Sequence, residues 1–496
     1  MESEAAPEVA LPGRPGRPGR PGRPGAALLA IGGVALLALA VRLVYGPWPI
    51  DDAYITFRYA RNIAGGLGFV YNPGAPVLGT TTPGYTLLLV PAAWWGLDLD
   101  RASWAFATVC DLLTAWLLYR LGLRAGRPWT GVLAALLLLL APKLLTWSSV
   151  SGMETPLYVL AVVATVWLYS SGRLTRAAVV LGLTLWVRPD ALLLGLAIGL
   201  YALLTRRALP LREAAVTALV ALPWVLFSWW YFGSPVPASV VAKASSNDLT
   251  AAQSLLALGG HFLASWYERL LLLPFLVGLG ATVRRPGPGR LLLLWGALYA
   301  LAFGLAGAFG HHLWYFVPLY VPYFWCAGAG LETIARFLAA RLPAAGAPAA
   351  GWAGLGAVAA LLLWQSHLNL AHTAAEQAVR EHLYREVATS LTAVSHGESL
   401  AATEVGVLGW YYDGPVLDLV GLVTPEAIGR PYVETMRAAQ RRDAPDSRPR
   451  WLVTYDDRFD DPAVLDEAWF RREWAVAAAY PITATRTLYV FARSTG

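Results

Sequence analysis

Two adjacent aspartates, Asp51 and Asp52, directly follow the first long apolar stretch of the chain. If a helix begins here, Asp51 shares a face with Arg58, and Asp52 shares the neighbouring face with Thr56. Burying an acidic pair beside a membrane costs desolvation free energy, so such a pair usually marks an ion, substrate or proton site. Helix capping also favours aspartate, but it explains one residue and not both. The pair is therefore the first candidate for acid–base chemistry.

Lys243 is the first candidate for binding an anion. The chain has 38 basic residues, and only Lys143 and Lys243 among them are lysines. A lysine kept against that bias suggests a need for a compact point charge, such as one that binds a phosphate. A cation that extends from a helix end to the membrane surface explains Lys243 equally well, and it is the better explanation of Lys143.

Further polar groups lie at the ends of predicted helices. Arg188 and Asp190 are two residues apart and are close enough to pair with each other. Glu154 precedes an apolar stretch, where the helix dipole favours an acid. His311 and His312 are of a residue type that binds zinc, but adjacent side chains do not share a helix face, which argues against a metal site.

The composition puts these residues in a membrane protein. Hydrophobic residues make up 57% of the 496-residue chain and charged residues 14%, whereas soluble proteins carry roughly 25% charged residues. Charge-free runs such as 25–41 suit a lipid-facing helix. Most arginines lie in short clusters between apolar segments, so the net charge of +6 reflects membrane orientation and predicts no nucleic-acid partner.

The apolar stretches predict about eleven membrane-crossing helices in a transmembrane region, 26–367. They span residues 25–45, 102–121, 129–146, 156–169, 177–187, 191–204, 214–232, 270–283, 291–308, 313–331 and 351–364. With arginine-rich loops inside, the disordered basic tail 1–25 is cytoplasmic and the long loop 46–101 is outside, so its apolar stretch 83–97 must not cross. Frequent charges and short apolar runs predict a soluble extracytoplasmic α/β domain over 368–496.

The acidic pair on the outer side of the first helix resembles the GT-C fold of lipid-linked glycosyltransferases. The stretch 51–60 is similar to the corresponding segment of the mycobacterial terminal arabinofuranosyltransferases and their uncharacterised bacterial relatives. Shorter similarities lie at 64–74, 151–156, 188–190, 237–243 and 418–422. The stretch 79–84 departs from the arabinosyl enzymes and looks more like the other relatives, which leaves the sugar open between hexose and pentose.

The resemblance implies transfer of a sugar from a polyprenyl-phosphate donor to a cell-envelope glycan, lipid or protein, on the outer face of the cytoplasmic membrane. Asp51 or Asp52 would then act as the general base of an inverting reaction. The leaving phosphate develops charge that a cation should stabilise. Lys243, Arg188 and Arg58 are the predicted phosphate-binding residues.

The remaining candidates are predicted to contact substrate: Glu154, Asp190, His311 and His312. A divalent metal held by Asp52 and Glu154 is a second way to stabilise the leaving phosphate, but a preserved lysine makes it less necessary. A transporter or flippase of lipid-linked sugars is the alternative function. The sequence has no internal repeat and its polar groups cluster at one membrane face, and both features count against transport.

Overall fold

The computed structural model describes residues 24–245, 249–310, 312–341, 347–440, 448–456, 467–483 and 486–494. The predictions for His311 and for most of the basic tail lie outside these residues. The described chain begins with a bundle of helices: α1 (Pro24–Tyr45), α2 (Asp51–Ala64), α3 (Pro83–Trp94), α4 (Leu99–Arg124), α5 (Pro128–Leu140), α6 (Pro142–Leu144), α7 (Thr155–Ser170), α8 (Leu174–Val187), α9 (Leu192–Arg206), α10 (Leu211–Phe232), α11 (Ala238–Ser245), α12 (Ala251–His261), α13 (Trp266–Arg284), α14 (Pro288–Leu305), α15 (Tyr320–Ala339) and α16 (Ala347–Val394).

Each stretch predicted to cross the membrane lies mainly on a helix of this bundle. Among the described residues, six segments are long and apolar enough to span a bilayer alone: Gly25–Tyr45, Leu99–Arg124, Pro189–Arg206, Leu211–Phe232, Trp266–Arg284 and Pro288–Leu305. A seventh results if α5 and the segment Pro142–Ser149, bent by 56° from it, form one crossing. Helices α7 and α8 are apolar but shorter. The protein is therefore a multi-pass helical membrane protein.

Helix α3 occupies the apolar stretch that was predicted not to cross. It has 12 residues, which at 1.5 Å per residue is about 18 Å and too short for a hydrocarbon layer of about 30 Å. Trp94 and Trp95 at its end are each 75% exposed. Tryptophans at the end of a short apolar helix are typical of the membrane interface.

Small residues allow the bundle helices to approach closely. A Cβ atom added to Gly278 of α13 would lie 1.8 Å from the carbonyl oxygen of Cys326, and one added to Gly330 of α15 would lie 1.7 Å from that of Pro274. Only glycine fits at either position. Such contacts replace hydrophobic burial as the source of helix association in lipid.

Charges inside the bundle are paired between helices. The guanidinium of Arg42 in α1 donates to Asp111 of α4 at 2.6 Å and to Ser149 at 2.9 Å. Lys143 pairs with the fully buried Glu268 at 2.8 Å, so this lysine has a specific partner and does not simply extend to the membrane surface. Pairing limits the cost of burying each charge and fixes the register of neighbouring helices.

The last predicted crossing, 351–364, lies in α16, which continues without interruption to Val394. The predicted domain boundary at 367/368 therefore falls inside a helix of 48 residues, or about 72 Å. Between Gly356 and Gly397 the sequence has neither glycine nor proline, so nothing in it breaks the helix where the composition changes. This helix joins the membrane region to the C-terminal domain.

The C-terminal domain is a small α/β unit, as predicted. Its elements are β1 (Ser399–Ala402), α17 (Val407–Tyr411), β2 (Val416–Asp418), α18 (Tyr432–Gln440), β3 (Pro449–Tyr455), α19 (Ala468–Glu473), β4 (Trp474–Thr483) and β5 (Arg486–Arg493). The sheet order is β2-β1-β3-β5-β4. Strand β1 is parallel to β2 and β3, and β5 is antiparallel to β3 and β4. Strand β2 is joined to the loop after α2, because the Asn72 side chain bonds to the N–H (3.0 Å) and the carbonyl oxygen (2.7 Å) of Val416.

Arg58 of α2 attaches this domain to the helical bundle. Its buried guanidinium donates to the carbonyl oxygens of Gly409, Tyr412 (3.2 Å) and Gly414 (3.1 Å) in the domain, and to that of Tyr71 (2.9 Å). The prediction that Arg58 binds the donor phosphate does not agree with this position, because its donors are already used by backbone carbonyls. Its role is to dock one part of the chain on another.

Replacing Arg58 with alanine should lower the free energy of unfolding by about 3 kcal/mol or more, because several buried carbonyl oxygens lose their donor together. Thermal unfolding of the full chain in lipid nanodiscs measures the loss. Arg101→Ala, which removes an exposed arginine of α4, is the control. Equal unfolding temperatures for the two variants would contradict the docking role.

Candidate functional site

A cavity of about 350 Å³ lies where α2, α11 and the end of α14 meet the C-terminal domain. Its wall combines three chemical types. Charged residues are Asp52, Glu154, Arg188, Asp190 and Lys243, and hydroxyl-bearing residues include Thr56, Thr80, Thr81, Thr82 and Ser239. Apolar residues include Ile55, Val240, Ala302, Phe303, Ala306 and Leu422, with Trp314 and Tyr315 beside them. The cavity therefore suits a ligand with an anionic, a hydroxylated and an apolar part.

Asp52 and Lys243 form an ion pair in the wall of this cavity. The Lys243 Nζ lies 2.9 Å from the Asp52 Oδ2 and 5.1 Å from the ring centre of Trp314. Burial raises the pKa of the Asp52 carboxyl, but attraction by Lys243 outweighs it and leaves that pKa below its ordinary value. Burial likewise lowers the pKa of Lys243, and Asp52 more than compensates. Both groups are therefore charged at neutral pH.

Arg188 is held between two carboxylates at another part of the wall. It donates to Asp190 at 2.8 Å and to Glu154 at 3.2 Å, and its guanidinium lies 4.9 Å from the ring centre of Tyr158. The local sequence explains the arrangement, since Pro189 restricts the residue before it to extended backbone. Arg188 accordingly has φ −152° and ψ 128°, which ends α8 and brings the arginine beside Asp190. The predicted Arg188–Asp190 pair is confirmed.

His312 lies beside the cavity and not in its wall. Its ring stacks on Trp314 with 4.9 Å between centres, and its positive charge, when it is protonated, attracts the Asp52 carboxylate. Within the described residues, no three His, Cys, Asp or Glu side chains are grouped so that they could hold a metal ion. Asp52 and Glu154, the pair considered as metal ligands, are each paired with a cation instead.

Asp51 faces away from its neighbour. Its carboxylate accepts hydrogen bonds from the backbone N–H groups of Gly406 (3.0 Å) and Val407 (2.8 Å), at the start of α17. It caps a helix of the C-terminal domain, where a carboxylate is favourable. Burial, followed by repulsion from Glu404, raises the pKa of Asp51 to about 7. The prediction of a catalytic Asp51 does not agree with these contacts, and of the aspartate pair Asp52 is the one that lines the cavity.

Part of the wall was not predicted. Leu422 reaches the cavity from a loop of the C-terminal domain, where Asp418 accepts from the N–H groups of Val420 and Val423, both at 2.8 Å. Gly421 in this loop has a φ of 99°, which favours glycine. Thr80, Thr81 and Thr82 lie in the stretch 79–84 that departs from the arabinosyl enzymes. Ser239 and Leu422 lie in the similar stretches 237–243 and 418–422, but neither residue was predicted to belong to the site. The C-terminal domain thus contributes directly to the site.

The helical bundle and its C-terminal domain have the GT-C fold, as solved structures with this fold show. ArnT from Cupriavidus metallidurans bound to undecaprenyl phosphate aligns with a TM-score of 0.59 and 15% identity, over 95% of this chain and 98% of that one. The Archaeoglobus fulgidus oligosaccharyltransferase AglB, in complex with an inhibitory peptide and a dolichol-phosphate, aligns with a TM-score of 0.57 and 12% identity. The alignment covers 95% of this chain and 74% of that one.

Sequence comparison gives a more specific likeness. The chain is 29% identical over 243 residues to the terminal β-(1→2)-arabinofuranosyltransferase of Mycobacterium tuberculosis. The match covers 43% of this chain and 38% of that relative's length. A domain of unknown function, DUF8728, matches residues 369–492, which include the C-terminal domain. The chain thus shares its fold with ArnT and with the oligosaccharyltransferase AglB, and part of its sequence is similar to that of an arabinofuranosyltransferase.

The raised pKa of Asp51 predicts a pH dependence of stability. Between about pH 4 and pH 7, Asp51 is protonated in the folded protein but ionised in the unfolded chain. The contribution of Asp51 to the free energy of unfolding is therefore complete below about pH 4 and is lost as the pH rises through 7. The unfolding temperature of the wild type, relative to that of Asp51→Asn, should therefore fall between pH 5 and pH 8.

Asp413→Asn, which removes an exposed carboxylate of the C-terminal domain, is the control for this measurement. Asp52→Asn would not serve, because the charge of Asp52 is one of the causes of the raised Asp51 pKa. The wild type and the Asp413 variant should keep a constant difference from pH 5 to pH 8. A constant difference for the Asp51 variant as well would show that Asp51 does not titrate in this range.

Proposed function

We propose that this protein is a glycosyltransferase that moves a sugar from a polyprenyl-phosphate donor to a hydroxyl group of a cell-envelope glycan, lipid or protein. The observation that carries the proposal is the Asp52–Lys243 ion pair in the cavity of a GT-C fold. It combines a carboxylate that can accept a proton with a cation that can stabilise a leaving phosphate.

The apolar side of the cavity supports a lipid-linked donor. Ala302 and Phe303 line it from the last turn of α14, and Ala306 lines it directly after the helix. Leu301 and Leu305 of the same helix are 50% and 62% exposed. The cavity is therefore separated from the lipid-facing surface by a single helix. A prenyl chain would lie against this side while its phosphate meets the charged residues.

Asp52 is our candidate for the general base, and Lys243 links it to the donor. The acceptor oxygen attacks the anomeric carbon, its proton passes to an Asp52 carboxylate oxygen, and the bond from the anomeric carbon to the phosphate oxygen breaks with its electron pair on the phosphate. One displacement of this kind inverts the anomeric centre. A phosphate that attracts Lys243 weakens the Lys243–Asp52 pair, which raises the pKa of Asp52 and makes it a stronger base.

Arg188 is the second candidate cation, and Glu154 and Asp190 hold its guanidinium in position. We propose that the reaction needs no resident divalent metal, since Asp52 and Glu154 are each neutralised by a cation in the chain itself. The two cations would then serve the purpose that a metal ion serves in other phosphate chemistry.

We also propose that the cavity and the C-terminal domain lie on the outer face of the cytoplasmic membrane. Helix α7 starts beside Glu154 and α8 ends beside Arg188, so the turn between them lies at the end away from the cavity. Arg173 of this turn and Arg176 in the first turn of α8 lie at that end. The turn between α9 and α10 is likewise basic and distant. Arginine-rich turns favour the cytoplasmic side, which leaves the cavity outside.

The test is an assay of the full chain in nanodiscs with a panel of radiolabelled polyprenyl-phosphate hexoses and pentoses and a crude cell-envelope acceptor. Asp52→Asn should lower turnover by about 10²- to 10⁴-fold, the usual contribution of a general base, while it still binds the donor. Asp413→Asn, which alters an exposed carboxylate of the C-terminal domain, is the control and should retain full turnover.

Two results would overturn the proposal in different ways. Wild-type turnover by the Asp52 variant would remove that residue from the chemistry. Donor binding by the wild type without any turnover, together with movement of the donor between leaflets, would favour a flippase of lipid-linked sugars.

A further inference from the structure

Ser239 is a second cavity residue of the helix that carries Lys243. It lies one helical turn before the lysine, so the two side chains share a face of α11. Side chains in a helix lean toward its N-terminus, which brings the Lys243 ammonium back toward the serine. Both residues line the cavity.

The hydroxyl of Ser239 has no hydrogen-bond partner in the part of the chain that the structure describes. The residue is 3% exposed, and its Oγ is buried without a hydrogen bond to any of the residues that the structure describes. Buried hydroxyls are nearly always satisfied. Ser245 of the same helix is an example, since its Oγ donates to the Ala242 carbonyl oxygen at 2.8 Å. Other buried hydroxyls of the described residues also lack a partner, for example those of Thr155 and Ser399. Ser239 is the one among them that lines the cavity, where a ligand can supply the partner.

The charges in the wall indicate what this donor binds. Among the described lining residues, Lys243 and Arg188 face three carboxylates, and both cations are already engaged with them. A phosphate that arrives here meets cations whose charge is balanced. A neutral hydrogen-bond donor near the lysine would therefore strengthen the binding of the phosphate, because hydrogen bonds to an anionic oxygen are stronger than those between neutral groups.

We propose that Ser239 donates a hydrogen bond to the phosphate of the lipid-linked donor, next to the contact made by Lys243. The inference rests on the proposed function and adds a phosphate-binding residue to it. The donor's sugar would then extend along the neighbouring wall, where Thr80 and Thr82 carry hydroxyls 3.1 Å apart. That wall is attached to α11 by the bond from the Ala238 N–H to the Leu78 carbonyl oxygen, at 2.8 Å.

The experiment measures the binding of undecaprenyl phosphate, which has no sugar, to the full chain in nanodiscs. Ser239→Ala should weaken this binding by about 10- to 100-fold, the effect of losing one hydrogen bond to a charged group. Ser239→Thr, which keeps the hydroxyl, should restore most of it. Ser245→Ala removes a hydroxyl from the same helix outside the cavity and should bind like the wild type.

Thermal unfolding without ligand separates binding from a structural role. Because the Ser239 hydroxyl has no partner among the described residues, Ser239→Ala should unfold at or above the wild-type temperature. A clearly lower temperature would mean that the serine supports the fold, and it would overturn the proposal.

The binding results also distinguish this proposal from the function on which it rests. Equal affinity of wild type and Ser239→Ala for undecaprenyl phosphate overturns the serine contact and leaves the glycosyltransferase proposal intact. A defect that is seen only with the sugar-loaded donor would assign the hydroxyl to the sugar instead. Failure of the wild type itself to bind any polyprenyl phosphate would overturn both proposals.

Discussion

Helix α2 is buried along most of its length although it carries two aspartates and two arginines, and the rest of the site is organised around the need to satisfy those charges. An unpaired charge removed from water costs several kcal/mol. Each of these side chains therefore has a specific partner. Asp51 accepts from N–H groups at the start of α17, and Asp52 pairs with the ammonium of Lys243. Arg58 donates to carbonyl oxygens of the C-terminal domain, and Arg61 donates to the carbonyl oxygen of Trp410 and lies over its ring. One helix thus joins the membrane region, α11 and the C-terminal domain.

This constraint couples the domain to the cavity. The face of α2 that carries Asp51 contacts the C-terminal domain, and the face that carries Asp52 contacts α11. The position of Asp52 therefore depends on how tightly the domain is docked on the Asp51 face. The domain also supplies Leu422 to the wall, and its backbone packs so closely on Gly79 that a Cβ there would lie 2.8 Å from the Leu422 carbonyl oxygen. The C-terminal domain is therefore part of the site, and a change in its docking would alter the shape of the space that substrates occupy.

The helices and the main charged residues could be predicted because their signals are local. The length of an apolar stretch identifies a membrane-crossing helix. Lys243 and Arg188 are easily noticed because few other charged residues lie near them in the sequence. The different roles of Asp51 and Asp52 could not be predicted, since the partners of Asp51 lie 355 and 356 residues away and the carbonyls that bind Arg58 are equally remote. Ser239 is one neutral hydroxyl among many, and it is distinguished by its place in the cavity wall together with the lack of a partner among the described residues. The continuity of α16 was visible as a lack of glycine and proline, but the change in charge near residue 367 outweighed that signal.

Asp52 and the donor phosphate would both interact with Lys243, and this determines the order of events in the proposed reaction. In the free protein Lys243 keeps Asp52 ionised but weakly basic, so the carboxylate is poorly suited to activating a water molecule. A donor phosphate competes for the same ammonium, and the basicity of Asp52 rises only when that competition takes place. A strong base is then present only while an anomeric carbon is within reach. The activation of the base is thus tied to the arrival of the donor, and Asp52 becomes strongly basic only in the donor complex.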